Sequence, residues 1–305
     1  MSKTILIAGG SGLVGRHLTE HLLRKKYRIR WLSRNVRNIR KNDNLQVFLW
    51  EPGKNFIDKS ALENVDVVIN LAGQNIAGHR WTEDYKKKIL ASRVQSSHTL
   101  ACAIEKQKVK PELFIGASAV GFYGMLISDK VFYETDPPTN DFFGKTCSEW
   151  ERSYRPFDKL CNQVAVLRIG LVLSDKGGFL PKAAIPVKWG LGMSISPGCQ
   201  ILPMIHIDDL CRIFEFLIEN LQKAGLYNAV SDMQLTYDEM VRILAKHFHR
   251  PLWPFRVPEF VLKLIFGEQH KMLTTGVRVS NEKLKKAGFE FLFNDFQESL
   301  KTFKL

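Results

Sequence analysis

Short, nearly uninterrupted apolar segments alternate with longer amphipathic ones through the first 170 residues. The apolar segments, rich in β-branched residues and leucine, occupy residues 4–8, 27–32, 45–49, 65–71, 113–117 and 164–169. Such segments are typical of strands buried on both faces of a parallel sheet. The amphipathic segments at residues 12–26, 83–106 and 142–162 have the length and period of helices. The alternation predicts an α/β fold, a Rossmann-type doubly wound parallel sheet with helices on both faces.

The pattern changes after residue 169. Residues 174–204 contain five glycines and four prolines without a sustained period, which predicts a loop-rich cap. A helix at 208–221, a strand at 226–230 and a helix at 236–248 follow, before a basic, proline-punctuated tail. We therefore predict a main domain of residues 1–173, to which residues 205–232 return. Residues 174–204 and 233–305 form a smaller C-terminal subdomain on the substrate side of the sheet.

Composition narrows the function classes. The chain carries a net charge of +13, and residues 16–41 hold ten Lys or Arg against one acid, Glu20. A basic segment binds nucleic acid, an anionic membrane or a phosphorylated ligand. Aromatic residues for base stacking are sparse here, since Tyr27 and Trp31 lie in a predicted strand. A solvated helix face beside a phosphate site is the favoured interpretation, with no nucleic-acid partner.

The chain shows neither a secretory signal nor an apolar run of the roughly 20 residues that a membrane span needs. Its five cysteines are widely spaced and form no CxxC pair. This spacing argues against a disulfide framework or a metal site. We expect a cytoplasmic protein without a membrane partner.

A glycine loop opens the predicted nucleotide site. Gly9, Gly12 and Gly15 follow the first predicted strand and begin the first predicted helix, which is the context of a dinucleotide-binding turn. The first glycine permits the turn, the second lets the backbone approach a pyrophosphate, and the third lets the helix pack on the strand. The alternative is an ordinary strand-to-helix turn.

The end of the second strand indicates which dinucleotide is bound. Sites selective for NAD usually carry Asp or Glu there, whereas this chain has Ser33 and Arg34, with Arg37 one turn further on. A serine hydroxyl and a guanidinium suit a 2′-phosphate, which an acid would repel. We therefore predict NADP(H) as the cofactor. The alternative is that Arg34 is only a surface charge.

Several motifs resemble the extended short-chain dehydrogenase/reductases of the NAD(P)-dependent epimerase/dehydratase type. They are GGSGLVG at 9–15, NLAG at 70–73, GASAVGFYG at 116–124, LRIGLVL at 167–173 and HIDD at 206–209. Residues 80–82, 88–93, 147–151 and 257–300 are similar to an atypical subfamily, labelled nucleoside-diphosphate sugar epimerase or cell-division-inhibitor-like, that has its own C-terminal domain. The resemblance covers essentially the whole chain.

The motifs and the resemblance together imply cofactor contacts and an assembly. The cofactor-binding residues are expected to be Gly9, Ser11, Gly12, Leu13, Val14, Gly15, Ser33, Arg34, Leu71, Ala72, Gly73, Ser92, Ala117 and Arg168. Relatives of this type often form homodimers through the two long helices that follow the fourth and fifth strands. The resemblance therefore implies a homodimer with a small-molecule substrate.

One departure from the resembled family concerns catalysis. The family's Tyr-x-x-x-Lys pair is replaced by Phe143 and Cys147, which can neither exchange a proton in the same way nor supply a fixed positive charge. Ser118, at the family's catalytic serine position, and Tyr123 are the remaining catalytic candidates. Their alternatives are a strand-end hydroxyl bonded to backbone and a supporting or substrate-contact tyrosine. His206 either faces the substrate cleft or has a structural role.

Two function classes therefore stay open. The first is an NADP(H)-binding epimerase/dehydratase-like oxidoreductase that acts on a nucleotide sugar or another polar carbonyl or hydroxyl compound. The second is a non-catalytic or weakly catalytic NADP(H)-binding regulatory or sensor protein.

Overall fold

A computed structural model describes residues 2–36 and 44–305 of the chain. The strands are β1 Thr4–Ala8, β2 Arg28–Ser33, β3 Leu45–Glu51, β4 Phe56–Ile57, β5 Val67–Asn70, β6 Leu113–Ala119, β7 Ile127–Phe132, β8 Gln163–Ile169, β9 Leu171–Leu173, β10 Gly192–Ile195, β11 Ile201–His206, β12 Leu226–Ala229, β13 Gln234–Thr236, β14 Leu252–Val257 and β15 Gly276–Val279. The α-helices are α1 Leu13–Arg24, α2 Glu83–Gln107, α3 Phe142–Arg152, α4 Phe157–Leu160, α5 Phe179–Lys188, α6 Ile207–Glu219, α7 Tyr237–His247, α8 Glu259–Phe266, α9 Lys271–Thr274, α10 Glu282–Lys286 and α11 Phe296–Lys301. Within those two ranges, no helix has both the length and the hydropathy to cross a membrane.

The largest sheet of the described residues has eight strands in the order β12-β8-β6-β5-β1-β2-β3-β4. Its strands are parallel except β4, which pairs antiparallel with β3. From β1 the chain adds β2 and β3 on one side, then crosses over to add β5, β6, β8 and β12 on the other. The strand order therefore reverses between β1 and β5, which confirms the predicted doubly wound Rossmann-type fold.

Helices cover both faces of this sheet, as the unbroken apolar strands require. In β1, Ile5 and Ile7 pack into the core beneath α1 and α6, whereas Leu6 faces the core beneath α2 and α3. Because successive side chains of a strand point to opposite faces, a strand buried on both faces needs apolar residues at every position. This geometry explains why β1 and β5 are apolar at nearly every position, with β5 ending on a buried Asn70.

A smaller body packs beyond the carboxyl edge of the large sheet. It contains the sheets β13-β11-β9, β10-β14 and β15-β7, and its core joins α5, α7 and α11. The segment predicted as a loop-rich cap, residues 174–204, contains α5, β10 and the start of β11, with irregular backbone between them. Pro181 lies in the first turn of α5, where a backbone N–H has no partner inside the helix, so proline is tolerated there. The predicted domain boundaries themselves stay a prediction.

The long helix predicted over residues 142–162 is interrupted. Helix α3 ends at Arg152, and α4 begins after Pro156. Proline has no N–H for a helical hydrogen bond, and its ring disfavours helical geometry at the preceding residue. The chain therefore turns at this point before it enters β8.

The C-terminal segment is attached to α6 by buried polar contacts. Asp209 is fully buried, and its carboxylate accepts hydrogen bonds from the backbone N–H groups of Leu292 (3.1 Å) and Phe293 (2.9 Å). Arg212 pairs with the same carboxylate at 2.6 Å. His206 lies nearby, stacked on Phe293 with ring centroids 3.8 Å apart. The structure therefore gives His206 a structural role.

Removing the Asp209 carboxylate is expected to loosen this attachment. Asp209→Ala leaves two backbone N–H groups and the guanidinium of Arg212 without their acceptor, so we expect the free energy of unfolding to fall by about 2–4 kcal/mol. Asp208→Ala is the matched control. Its side chain is exposed in the first turn of α6, and its loss should cost no more than about 1 kcal/mol. Urea unfolding of both variants measures the difference, and equal shifts would contradict the role assigned to Asp209.

Candidate functional site

A cleft of about 670 Å³ opens where the strand order reverses, between the glycine loop after β1, the end of β2, the segment after β5 and the side of α2. Ligands of open α/β sheets bind at such switch points, which makes this cleft the candidate site. The predicted cofactor-binding residues that line it are Gly9, Ser11, Gly12, Ser33, Arg34, Leu71, Ala72, Gly73 and Ser92.

Glycine is required at two positions of the loop, because a side chain there would collide with nearby backbone. Gly9 has a φ of +86°, and a Cβ atom there would lie 2.8 Å from the backbone carbonyl of Leu71. A Cβ atom on Gly15 would lie 2.4 Å from the carbonyl oxygen of Gly9. A side chain at either position would push α1 or β5 away from the loop. Gly15 therefore acts by packing the helix and does not line the cleft.

The N-terminus of α1 provides donors for an anion. Gly12 is the N-cap, no side-chain hydrogen bond caps it, and the first turn contains no acidic residue. The first N–H groups of a helix lack intrahelical acceptors and carry the positive end of the helix dipole. A phosphate can bind at such a terminus. Leu13 and Val14 pack their side chains away from the cleft, so they can contribute only their backbone N–H groups.

The end of β2 closes the far end of the cleft with polar side chains. The Ser33 hydroxyl donates to the carbonyl oxygen of Asn35 (2.8 Å) and accepts from its N–H (3.2 Å), which forms a tight turn. Arg34 follows and is exposed on the cleft wall. Among the described residues that line the cleft, none is acidic. Arg37 lies outside the described residues.

A buried polar cluster shapes the opposite wall. The Asn70 side chain donates to Ser96 (3.1 Å) and accepts from the N–H of Ala72 (3.1 Å), which holds the segment after β5 against α2. The Ser92 hydroxyl accepts from the N–H of Gln74 (2.9 Å) and donates to a carbonyl of its own helix. Ser92 therefore lines the cleft mainly to position residues 72–74.

The predicted catalytic residues lie in a buried network below this edge. Arg168, on β8, forms a bidentate pair with Glu151 of α3, with both N–O distances at 2.9 Å. Ser118 donates its hydroxyl to the same carboxylate at 2.6 Å. The Tyr123 hydroxyl donates to Asn228 (2.7 Å) and accepts from Arg168 (3.0 Å). Ser118 and Tyr123 are at most 2% exposed.

This network contains three of the residues that the sequence predicts in the site, Arg168, Ser118 and Tyr123. Burial alone would lower the pKa of Arg168, but the hydrogen bonds and charge of Glu151 raise it above its ordinary value. Its donors are engaged by protein groups, and it does not line the cleft, so a contact of Arg168 with the cofactor stays a prediction. Ser118 and Tyr123 face the interior, and burial raises the pKa of Tyr123. Neither side chain lines the cleft or the adjoining cavity described below, and their catalytic roles stay predictions.

Ala117 also lies away from the cleft. It is buried in the core beneath α2 and α3, and its carbonyl oxygen accepts a hydrogen bond from the Tyr154 hydroxyl at 2.7 Å. It does not line the cleft. Its contact with the cofactor therefore stays a prediction.

A second cavity of about 330 Å³ adjoins the first, between α3, the loop after β6 and the smaller body. Its wall is mostly apolar and includes Phe143, Leu171 and Met272. Arg93 of α2 is the one charged side chain among the described residues that line it. This cavity can hold a compound of modest size beside a ligand in the first cleft.

Comparison with known proteins defines the family. Residues 5–229 match the NAD dependent epimerase/dehydratase family, and residues 257–303 match a domain of unknown function, DUF1731. The epimerase family protein YfhF of Bacillus subtilis is 33% identical over 297 residues, which cover 97% of this chain and 96% of that protein. The chain belongs to the NAD dependent epimerase/dehydratase family.

Solved structures agree with this assignment. The human epimerase family protein SDR39U1 (isoform 2), determined with NADPH, has a TM-score of 0.86 at 27% identity and covers 98% of both chains. A nucleoside-diphosphate sugar epimerase from Corynebacterium glutamicum has a TM-score of 0.77 at 26% identity, over 98% of this chain and 57% of that one. Within the family, the chain is an atypical extended short-chain dehydrogenase/reductase, as its motifs indicated.

The position of the expected Tyr-x-x-x-Lys pair marks this family member as atypical. Phe143 and Cys147 lie one turn apart on α3 and both line the apolar cavity. Burial, together with the nearby charge of Glu151, raises the pKa of the Cys147 thiol to about 12, so the group stays protonated near neutral pH. The cavity wall therefore has a phenyl ring and a neutral thiol at the positions expected for the Tyr-x-x-x-Lys pair.

Sequence reasoning missed the residues that join the two cavities. Arg93 was seen only as part of a family-like segment, and Asn70 only as a strand end. Their roles depend on contacts between α2 and the segment after β5, which are separated by about twenty residues in the chain. A buried Asn after an apolar strand was the one available signal, since such a side chain needs hydrogen-bond partners.

Breaking the buried pair tests whether the network is structural. Glu151→Gln keeps the shape of the side chain but leaves Arg168 without a counter-charge, so we expect the free energy of unfolding to fall by about 3–5 kcal/mol. Glu149→Gln is the control on the same helix. Glu149 forms an exposed pair with Arg152, and its loss should change stability by less than about 1 kcal/mol. Thermal and urea unfolding measure both, and similar midpoints for the two variants would refute the role of Glu151.

Proposed function

We propose that this chain is an NADP(H)-dependent oxidoreductase of the epimerase/dehydratase type, acting on a small-molecule substrate in the apolar cavity. The observation that carries the proposal is the far end of the cleft, where Ser33 and Arg34 line the wall and no acidic residue of the described chain does. An NAD-selective site uses a carboxylate there to bind the ribose hydroxyls. A guanidinium instead favours a 2′-phosphate. The structure of the human relative with NADPH supports the same choice.

Each part of the cleft fits one part of such a cofactor. The N-terminus of α1 at Gly12 can hold the pyrophosphate, and Arg34 the 2′-phosphate. Ser33 already closes a turn with Asn35, which makes Arg34 the main phosphate contact. When bound, the cofactor supplies or accepts a hydride. The residues of this chain would orient it so that the reaction takes place at the entrance of the apolar cavity.

A second candidate function is NADP(H) binding without turnover, as in a regulatory or sensor protein. The observation that favours it is that neither Ser118 nor Tyr123 lines the cavity, whereas burial raises the pKa of Tyr237, the one tyrosine among the described lining residues, to about 12. The hydroxyls of Ser118 and Tyr123 are hydrogen-bonded within the Arg168 network. Phe143 and Cys147 occupy the positions that the resemblance assigns to the Tyr-x-x-x-Lys pair. A positioned acid or base typically contributes about 10²–10⁴-fold in rate.

The cofactor assignment is tested by calorimetric titration with NADPH and NADH. We expect NADPH to bind more tightly, and Arg34→Ala to weaken NADPH binding about 10- to 100-fold because a charge-assisted phosphate contact is lost. Binding of NADH should change little. Arg155→Ala, an exposed arginine beyond α3, is the control and should alter neither affinity. NADH binding as tight as NADPH binding, or equal losses for both in Arg34→Ala, would refute the assignment.

Turnover separates the two candidate functions. The assay follows NADPH absorbance over a panel of carbonyl compounds, with Tyr123→Phe as the informative variant. Because the Tyr123 hydroxyl contacts Asn228 and Arg168 and not the cavity, we expect the variant to be less stable but to keep its kcat wherever it is folded. A fall in kcat without a change in stability would restore Tyr123 as a proton donor. Tight NADPH binding without turnover across the panel would favour the second function.

A further inference from the structure

Arg93 is a charged side chain that lies between the two cavities of the candidate site. It lies on α2, and its Nη1 donates to the carbonyl oxygens of Ile89 (2.9 Å) and Gln74 (3.2 Å). Its guanidinium lies 4.7 Å from the centre of the Trp150 ring, on the wall of the apolar cavity. On the other side it touches Gly73, which lines the dinucleotide cleft.

The charge of Arg93 is not balanced by the protein. Among residues 2–36 and 44–305, no carboxylate lies within salt-bridge distance of its guanidinium. Burial lowers its pKa from the ordinary value. The nearby Arg168, also withdrawn from water, has the full bidentate pairing with Glu151 that Arg93 lacks. A partly desolvated cation without a counter-ion is unfavourable, and an anion supplied by a ligand would relieve that cost.

The rest of the cavity restricts what that ligand can be. The wall around Arg93 is built from side chains such as Phe143, Leu171, Phe179 and Met272. Hydroxyl-rich compounds need several hydrogen-bond partners, and burying their polar groups without partners is costly. Three hydroxyl side chains also line this wall, those of Thr146, Tyr237 and Thr275, but most of its surface is apolar. An apolar body fills such a wall without that cost.

We infer that the apolar cavity binds a carboxylate with a largely hydrophobic body, oriented by a bidentate contact between its carboxylate and Arg93. The planar guanidinium matches the geometry of a carboxylate, and the apolar wall holds the remainder of the molecule. This inference rests on the proposed function for the placement of the ligand beside the cofactor. It replaces the nucleotide sugar of the sequence-based hypothesis with a different substrate class.

Calorimetry with decanoate, decanamide and UDP-glucose as probes tests the inference, in the presence and absence of NADPH. We expect decanoate to bind at least about 10-fold more tightly than decanamide, which shares its chain but lacks the charge. UDP-glucose should bind more weakly than decanoate. Arg93→Gln should weaken decanoate about 10- to 100-fold and leave decanamide unchanged, and Arg155→Gln should leave both unchanged.

The comparison of the three probes on the unaltered protein needs no variant, so it holds even if Arg93→Gln fails to fold. Equal affinities for decanoate and decanamide, or tighter binding of UDP-glucose, would overturn the inference. So would a folded Arg93→Gln variant that loses NADPH affinity and keeps decanoate affinity, because Arg93 would then serve the cofactor. NADPH titrated alone reports on the proposed function separately, so failure of the two can be distinguished.

Discussion

The guanidinium of Arg168 is a buried charge, and the side chains around it are placed so that they neutralise it. Glu151 reaches from α3 to β8 to form the pair, and Ser118 and Tyr123 complete it from β6 and the turn that follows. The network therefore joins the edge of the sheet to the helix that forms one wall of the apolar cavity. A buried pair of this kind holds elements together because neither partner can be left alone without a large desolvation cost.

The need to neutralise Arg168 also affects which polar groups of the site are available to a ligand. Ser118 and Tyr123 are hydrogen-bonded within the Arg168 network and do not line the apolar cavity, where Arg93 is the one charged side chain among the described lining residues. The nucleotide cleft, in contrast, keeps the features of its fold: a tight glycine turn, an uncapped helix N-terminus and a basic end to β2. The two halves of the site have therefore diverged to different degrees from the pattern of the family.

Much of the cleft could be predicted from sequence because its elements are local. The turn from Gly9 to Gly15, and the strand before it, are encoded within about fifteen consecutive residues, and close backbone contacts require glycine at positions 9 and 15. Ser33 and Arg34 lie at the end of a predicted strand, so their position could also be predicted from the local sequence. The contacts of Ser118, Tyr123 and Arg168 could not be predicted in this way. Each side chain has the right position along the chain, but its partners come from Glu151 and Asn228, far away in sequence.

The sequence by itself determined the doubly wound sheet and the position of the glycine loop, because these depend on period, composition and spacing along the chain. The resemblance to a known family implied the absence of the Tyr-x-x-x-Lys pair. The tertiary structure decided which polar groups are available to a ligand. It paired Arg168 with Glu151, left Arg93 without a carboxylate partner among the described residues, and formed α5 and β10 within residues 174–204. Whether a polar group is available to a ligand depends on its contacts with residues of α2, α3 and β8. These residues are far apart in sequence, so no local pattern predicts the contacts.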